Sequence, residues 1–143
     1  MKPNFKRLKL HTQLDNNVAI LKLFPGITKE FVQHTLNTPN LKALIIETYG
    51  SGNAPTAPWF IDGLKESIEK GLIIYNVTQC KSGSVEMGRY ETSLDLNRIG
   101  VLSGHDITTE SAIAKLMYLL GEGYPAEKVK ELLQIPIRGE ITL

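Results

Sequence analysis

The sequence predicts a layered α/β domain built on a parallel sheet flanked by helices. Three observations predict it. Apolar, β-rich runs at residues 18–24, 43–46 and 72–77 are short, and the second is continuous, as in strands buried on both faces of a parallel sheet. Polar loops and segments of helical apolar spacing alternate with these runs, which implies right-handed crossovers between parallel strands. The 143 residues are 42 % apolar and 22 % charged, the balance of one globular domain.

The elements follow in order. After a polar lead-in over residues 1–10, the first strand is stopped by Pro25-Gly26, and Thr28 caps a helix running to Leu36. Residues 37–40 turn the chain into the second strand. Beyond the loop Gly50-Ser51-Gly52-Asn53-Ala54-Pro55, Thr56 is the expected N-cap of a second helix with Pro58 in its first turn. There Phe60, Ile61, Leu64 and Ile68 form the buried stripe and Gly71 ends the helix. The third strand leads into the polar loop of residues 78–84, and residues 87–96 are expected to be helical in part. Val101-Leu102 is too short to define a strand by itself. Thr108 then caps a clear helix with the stripe Ala112, Ile113, Leu116, Met117 and Leu120, closed by Gly121 and Gly123. Pro125 opens a last helix carrying Val129, Leu132 and Leu133, whose residues Glu127, Lys128, Lys130 and Glu131 read as a solvated face. Residues 135–143 are a tail.

Composition narrows the function classes. Sixteen Lys plus Arg against fifteen Asp plus Glu give a formal charge of +1, which argues against nucleic acid as the main partner. No apolar run approaches the roughly 20 residues that span a bilayer, and the lysine-rich start lacks a hydrophobic stretch behind it. Cys80 is the one cysteine, so no internal disulfide forms and a reducing, cytoplasmic setting is expected. Asn76-Val77-Thr78 matches a glycosylation sequon but falls at a strand end and carries no weight.

Parallel crossovers place every strand-to-helix loop at the carboxyl edge of the sheet, where ligands bind in open α/β folds. Three polar segments should therefore meet: Asn53 with Thr56; Thr78, Gln79 and Cys80; and Ser103, His105, Asp106 and Thr108. Gly50-x-Gly52 is placed like a dinucleotide loop, but Pro55 stands where the third glycine belongs. The two glycines then shape a tight turn with Asn53 left-handed, or Asn53 offers its amide to a ligand. Both readings stay open on pattern alone. Cys80 and His105 would make a nucleophilic thiolate–imidazole pair if brought together; the plainer reading is a buried structural cysteine. His11, His34 and His105 have no ligand-like spacing, so neither a metal nor a cofactor is expected. Asp106 is placed to favour a helix N-terminus through the dipole.

At Tyr49-Gly50-Ser51-Gly52-Asn53-Ala54-Pro55, Asn76-Val77-Thr78-Gln79-Cys80 and Gly104-His105-Asp106-Ile107-Thr108-Thr109-Glu110-Ser111-Ala112, the chain closely resembles the C-terminal domain of cytoplasmic type I bacterial L-asparaginases. Met87-Gly88-Arg89-Tyr90 and Arg138-Gly139-Glu140 extend the resemblance over residues 8 to 143. It implies a small Rossmann-like, three-layer α/β domain with a mainly parallel four-stranded sheet. It also implies a missing part: the family's nucleophilic threonines lie in T-G-G-T-like and G-T-D-T-like motifs that do not occur here. The chain is therefore expected to be an isolated C-terminal half, without catalytic residues of its own.

The resemblance implies that such domains serve a neighbour. In the full enzyme, Asn53 would reach the substrate of the adjoining subunit in an intimate dimer, and Tyr90 or Glu91 would approach the same site. Some type I enzymes bind asparagine at a second, allosteric site near positions matching Glu47, Thr78 and Cys80. The regulated ones carry arginine where this chain has Glu47, and a glutamate would repel the ligand's carboxylate. The expected function is thus to complete and assemble an enzyme converting asparagine to aspartate and ammonia. An amino-acid-binding regulatory module is the alternative, and an independent cysteine hydrolase a third reading. Expected partners are the N-terminal asparaginase domain, further copies of the chain, and asparagine or aspartate, with neither nucleic acid nor membrane.

Overall fold

The computed structural model describes residues 9–80, 83–86 and 91–142, with the backbone alone at 91 and 92. Among the described residues nine elements follow one another, strand and helix alternating as far as α4: β1 (Val18–Lys22), α1 (Lys29–Leu36), β2 (Ala43–Thr48), α2 (Pro58–Glu69), β3 (Ile73–Thr78), α3 (Glu91–Arg98), β4 (Leu102–Ser103), α4 (Thr109–Gly121) and α5 (Ala126–Leu133). The first three strands fall on the apolar runs, and the short β4 is one that those runs do not define. The four strands are parallel and lie in sequence order, β1-β2-β3-β4. With every crossover right-handed and every strand added on the same side, α1, α2 and α3 must share one face. The remaining helices, α4 and α5, cover the other.

The two faces have separate cores. On one, Leu21, Leu44, Ile46 and Ile74 of the sheet pack with Val32, Phe60, Leu64 and Leu96 of α1 to α3. On the other, Ala43, Ile45, Ile73, Tyr75 and Val77 pack with Ala112, Leu116 and Leu119 of α4 and Val129 and Leu133 of α5. Alternate residues of β2 and β3 thus enter opposite cores, which is why neither strand shows polar alternation in sequence. Strand β1 is an edge with a mixed pattern, and Ile20 is 45 % exposed.

Several expectations are corrected in detail. The first strand ends at Lys22: Leu23 N still donates to Glu47 O (3.0 Å), but the Leu23 carbonyl accepts from the side-chain amide of Gln79 (2.6 Å), which also donates to Glu47 O (2.8 Å), and Tyr49 N turns to Asn53 O. Thr28 caps α1, its hydroxyl accepting from Phe31 N. The N-cap of α2, however, is Ala57, without a side-chain bond, and Thr56 lies one residue too early and exposed. Pro58 at the start of α2 lacks an N–H that would otherwise be an orphan donor. Asn53 is not left-handed; Gly50 (φ +48°) and Gly52 (φ +112°) carry the turn, and among the described residues the positive-φ residues other than glycine are Asn40 and His105. The helical part expected in residues 87–96 is α3 from Glu91 onward, and residues 87–90, with the motif they carry, lie outside the described residues. In α4, Lys115 and Leu119 join the buried face with Ala112 and Leu116, while Ile113, Met117 and Leu120 are only partly covered.

Candidate functional site at the carboxyl edge of the sheet

Parallel strands deliver the ends of β2, β3 and β4 to one rim, and hydrogen bonds stitch their loops together there. Tyr49 and Asn53 close the first loop, Tyr49 N donating to Asn53 O (2.8 Å) and Asn53 N to Tyr49 O (2.9 Å). The Thr78 hydroxyl donates to the carbonyl of Gly50 and accepts from Cys80 N, so one side chain fastens the first loop to the second. A Cβ on Gly52 would stand 3.1 Å from Val85 Cγ1, and its φ of +112° is closed to other residues, so glycine is required twice over. Glu86 N then donates to Ser51 O (2.9 Å) and Val85 N to His105 O (2.8 Å), joining the third loop to the other two.

Beside this stitched rim, on the α4 face of the sheet, lies a cavity of about 630 Å³. Its walls include Lys22, Glu47, Thr78, Cys80, Asp106 and Thr109. Thr109 Oγ1 donates to Glu47 Oε1 at 2.6 Å, and Lys22 Nζ stands 3.9 Å from Glu47 Oε2. With Asp106 and Glu110 also in the wall, carboxylates outnumber ammonium groups among the described residues. Asp106 is held below the usual carboxylate range by hydrogen bonding to Thr142, whose N–H donates to its Oδ1 at 2.8 Å. Its carboxylate is thus spent on the C-terminal tail; the α4 N-terminus is capped by Thr108, accepting from Ser111 N.

The predicted site residues are distributed as follows. Glu47, Thr78 and Cys80 share the cavity. Asn53 is not among the residues that line it and lies in the loop bridged to Tyr49, whose Gly52 packs against Asn76 and Val85. Thr56 is not drawn in. Tyr90 lies outside the described residues, as does the side chain of Glu91. Cys80 is exposed, which corrects the reading of it as a buried structural thiol. No hydrogen bond joins its sulfur to His105 among the described residues; His105 is instead a backbone pivot at φ +54°. Asn76, the sequon asparagine, is fully buried and accepts from Thr48 Oγ1 at 2.7 Å. No three His, Cys, Asp or Glu side chains cluster as metal ligands among the described residues, and no helix there is long and apolar enough to cross a membrane.

Three features escaped the sequence reading. The Gln79 amide bridge and the positive φ of His105 leave no local signal. The pair of buried Lys115 with half-buried Glu140, at 2.7 Å, did leave one: a lysine at helical spacing within the stripe 112, 116, 119.

Comparison with known proteins bears on these features. The model of the glutaminase/asparaginase C-terminal domain family matches residues 17–133. The chain is 37 % identical over 135 residues to L-asparaginase 1 of Escherichia coli K12, covering 94 % of this chain and 40 % of that protein. It is 41 % identical over 136 residues to the human 60 kDa lysophospholipase, covering 94 % of this chain and 23 % of that one. The crystal structure of L-asparaginase I from Vibrio cholerae superposes with a TM-score of 0.89 at 40 % identity, over 97 % of this chain and 42 % of the other. The chain therefore spans less than half the length of these relatives. The parallel four-stranded sheet, the helices on both its faces and the matched residues agree: the chain belongs to the glutaminase/asparaginase C-terminal domain family.

Proposed function

We propose that this domain completes and assembles an L-asparaginase, in which a partner domain breaks the amide bond and the present chain supplies geometry. Residues 1–143 act as the C-terminal α/β part, with residues 1–10 as a lead-in, and the catalytic N-terminal domain is the missing partner. The protein works in the cytoplasm as a homo-oligomer, Asn53 reaching the substrate bound by the neighbouring subunit and Tyr90 or Glu91 approaching the same place. The observation that carries the reading is the Tyr49–Asn53 loop, closed on itself and fastened by the Thr78 hydroxyl. A loop held so tightly can present one amide without an ordering cost at the moment of binding. Two similar proteins bear the name asparaginase, which favours asparagine as substrate over a lipid.

A domain exchange tests it. Residues 10–143 replace the matching region of the Escherichia coli relative, and asparagine hydrolysis is measured. The graft is expected to retain turnover, and Asn53→Ala in it to lower kcat/KM by about tenfold or more. A folded, oligomeric graft without activity, or one indifferent to Asn53→Ala, contradicts the proposal.

The alternative reading is an amino-acid effector bound at Glu47, Thr78 and Cys80. Its support is the cavity those residues share. Against it stands the carboxylate of Glu47, which repels a ligand carboxylate and is already engaged by Thr109 and Lys22.

A further inference from the structure

The sequence motif Arg138-Gly139-Glu140 plays no part in the site, yet the structure gives it an elaborate set of bonds. Lys115, on the buried side of α4, has a side chain only 4 % exposed, and its ammonium meets three acceptors: Ile135 O (2.6 Å), Glu140 Oε1 (2.7 Å) and Leu133 O (3.3 Å). An ammonium has three protons, so this set satisfies it. The Glu140 carboxylate in turn accepts from Ile137 N (2.9 Å) and Arg138 N (2.6 Å), folding the tail back over Gly139 at φ +85°. Tyr75 of β3 donates to the same Leu133 carbonyl at 2.9 Å. Past this knot, Ile141 is buried in the core of the α4 face, and Thr142 N reaches Asp106 Oδ1 on the cavity wall.

We infer that residues 135–142 form a strap, latched by the Lys115–Glu140 pair, that holds the loop between β4 and α4 and so sets the cavity rim. Removing Glu140 would strand the buried ammonium of Lys115, so the latch depends on both members being present. Its far end grips Asp106, next to the strained pivot His105 at φ +54°. A left-handed residue without glycine's freedom persists only when its surroundings enforce it, and the Thr142 bond together with Val85 N on the His105 carbonyl does so. The inference rests on the fold alone and does not depend on which reaction the parent protein performs.

Amide hydrogen exchange on the full chain tests it, because Val85 N (to His105 O) and Ile107 N (to Gly104 O) are local reporters of this loop. Thr142→Pro removes the N–H that reaches Asp106 and leaves both side chains of the Lys115–Glu140 pair in place; Lys115→Met removes the latch. Both variants are expected to exchange Val85 and Ile107 about tenfold faster or more while the amides of β2 keep their rates. Where Lys115→Met does not fold, Thr142→Pro decides alone. Unchanged Val85 and Ile107 rates beside faster exchange in residues 137–142 would overturn the inference, as would equal acceleration of β2.

Discussion

Thr109 Oγ1 donates to Glu47 Oε1 across 2.6 Å, tying the first turn of α4 to the carboxyl end of β2. The bond turns the carboxylate into part of the cavity wall and keeps a negative charge beside Thr78 and Cys80. Millimolar asparagine, aspartate or glutamine should therefore leave the melting temperature unchanged, since binding confined to the folded state would raise it by mass action. A concentration-dependent rise of several degrees in a thermal scan would favour the effector reading instead.

Inside the sheet, Thr48 and Asn76 are both fully buried, the threonine hydroxyl lying 2.7 Å from Asn76 Oδ1 and 3.1 Å from Val77 O. Thr48→Val keeps the shape and deletes the donor. It should cost about 1–3 kcal/mol, read from urea unfolding as a lower midpoint with an unchanged slope. No loss of stability would mean that the pair contributes nothing net.

Close approach makes Gly121 a sharp test of how residues 11–17 dock. A Cβ there would lie 2.2 Å from Gln13 O and 2.9 Å from Leu14 Cα, and backbone cannot yield as a flexible side chain can. Gly121→Ala should displace this segment from α4, breaking the bond from Asp15 N to Met117 O. Limited proteolysis should then cut near residue 13 faster than in the parent, with the rest of the domain intact.

The latch has a pH signature. Burial alone would raise the Glu140 carboxyl, but hydrogen bonds from Lys115 and from the amides of Ile137 and Arg138 outweigh it and hold the group at about 2. A carboxyl whose folded value is depressed stabilises the fold above its unfolded value and loses that contribution as pH falls through the folded one. The stabilisation should thus be complete above about 4.5 and vanish toward about 2. Glu140→Gln should be less stable than the parent near neutrality and show a shallower loss over that acid interval in urea midpoints.

How far the sequence reveals the molecule depends on the range of each interaction. Residues 43–46 and 72–77 announce buried strands because both faces are covered, and Thr28 and Thr108 announce helix starts because a cap acts within three residues. The pooling of Thr78, Cys80 and Asp106 at one cavity follows from parallel crossovers, whereas Glu47 is pointed to by the family resemblance and Asn53 and Thr56 stay outside. Thr56 misleads because Pro58 can begin a helix without a side-chain cap. Exposure of Cys80, the Gln79 bridge and the Asp106–Thr142 bond depend on partners 32 to 56 positions away or on loop shape, which no local pattern encodes. The Lys115–Glu140 pair is intermediate: periodicity marks the lysine as misplaced, but only the fold supplies its counter-ion.

Acyl transfer needs an activated nucleophile together with oxyanion stabilisation, and the proposed role asks of this domain only that it arrange a site. Ammonia release from asparagine is therefore to be measured with the purified chain of residues 1–143. A rate indistinguishable from buffer is expected. Turnover above that background, abolished by Cys80→Ala or Asn53→Ala, would overturn the proposed role.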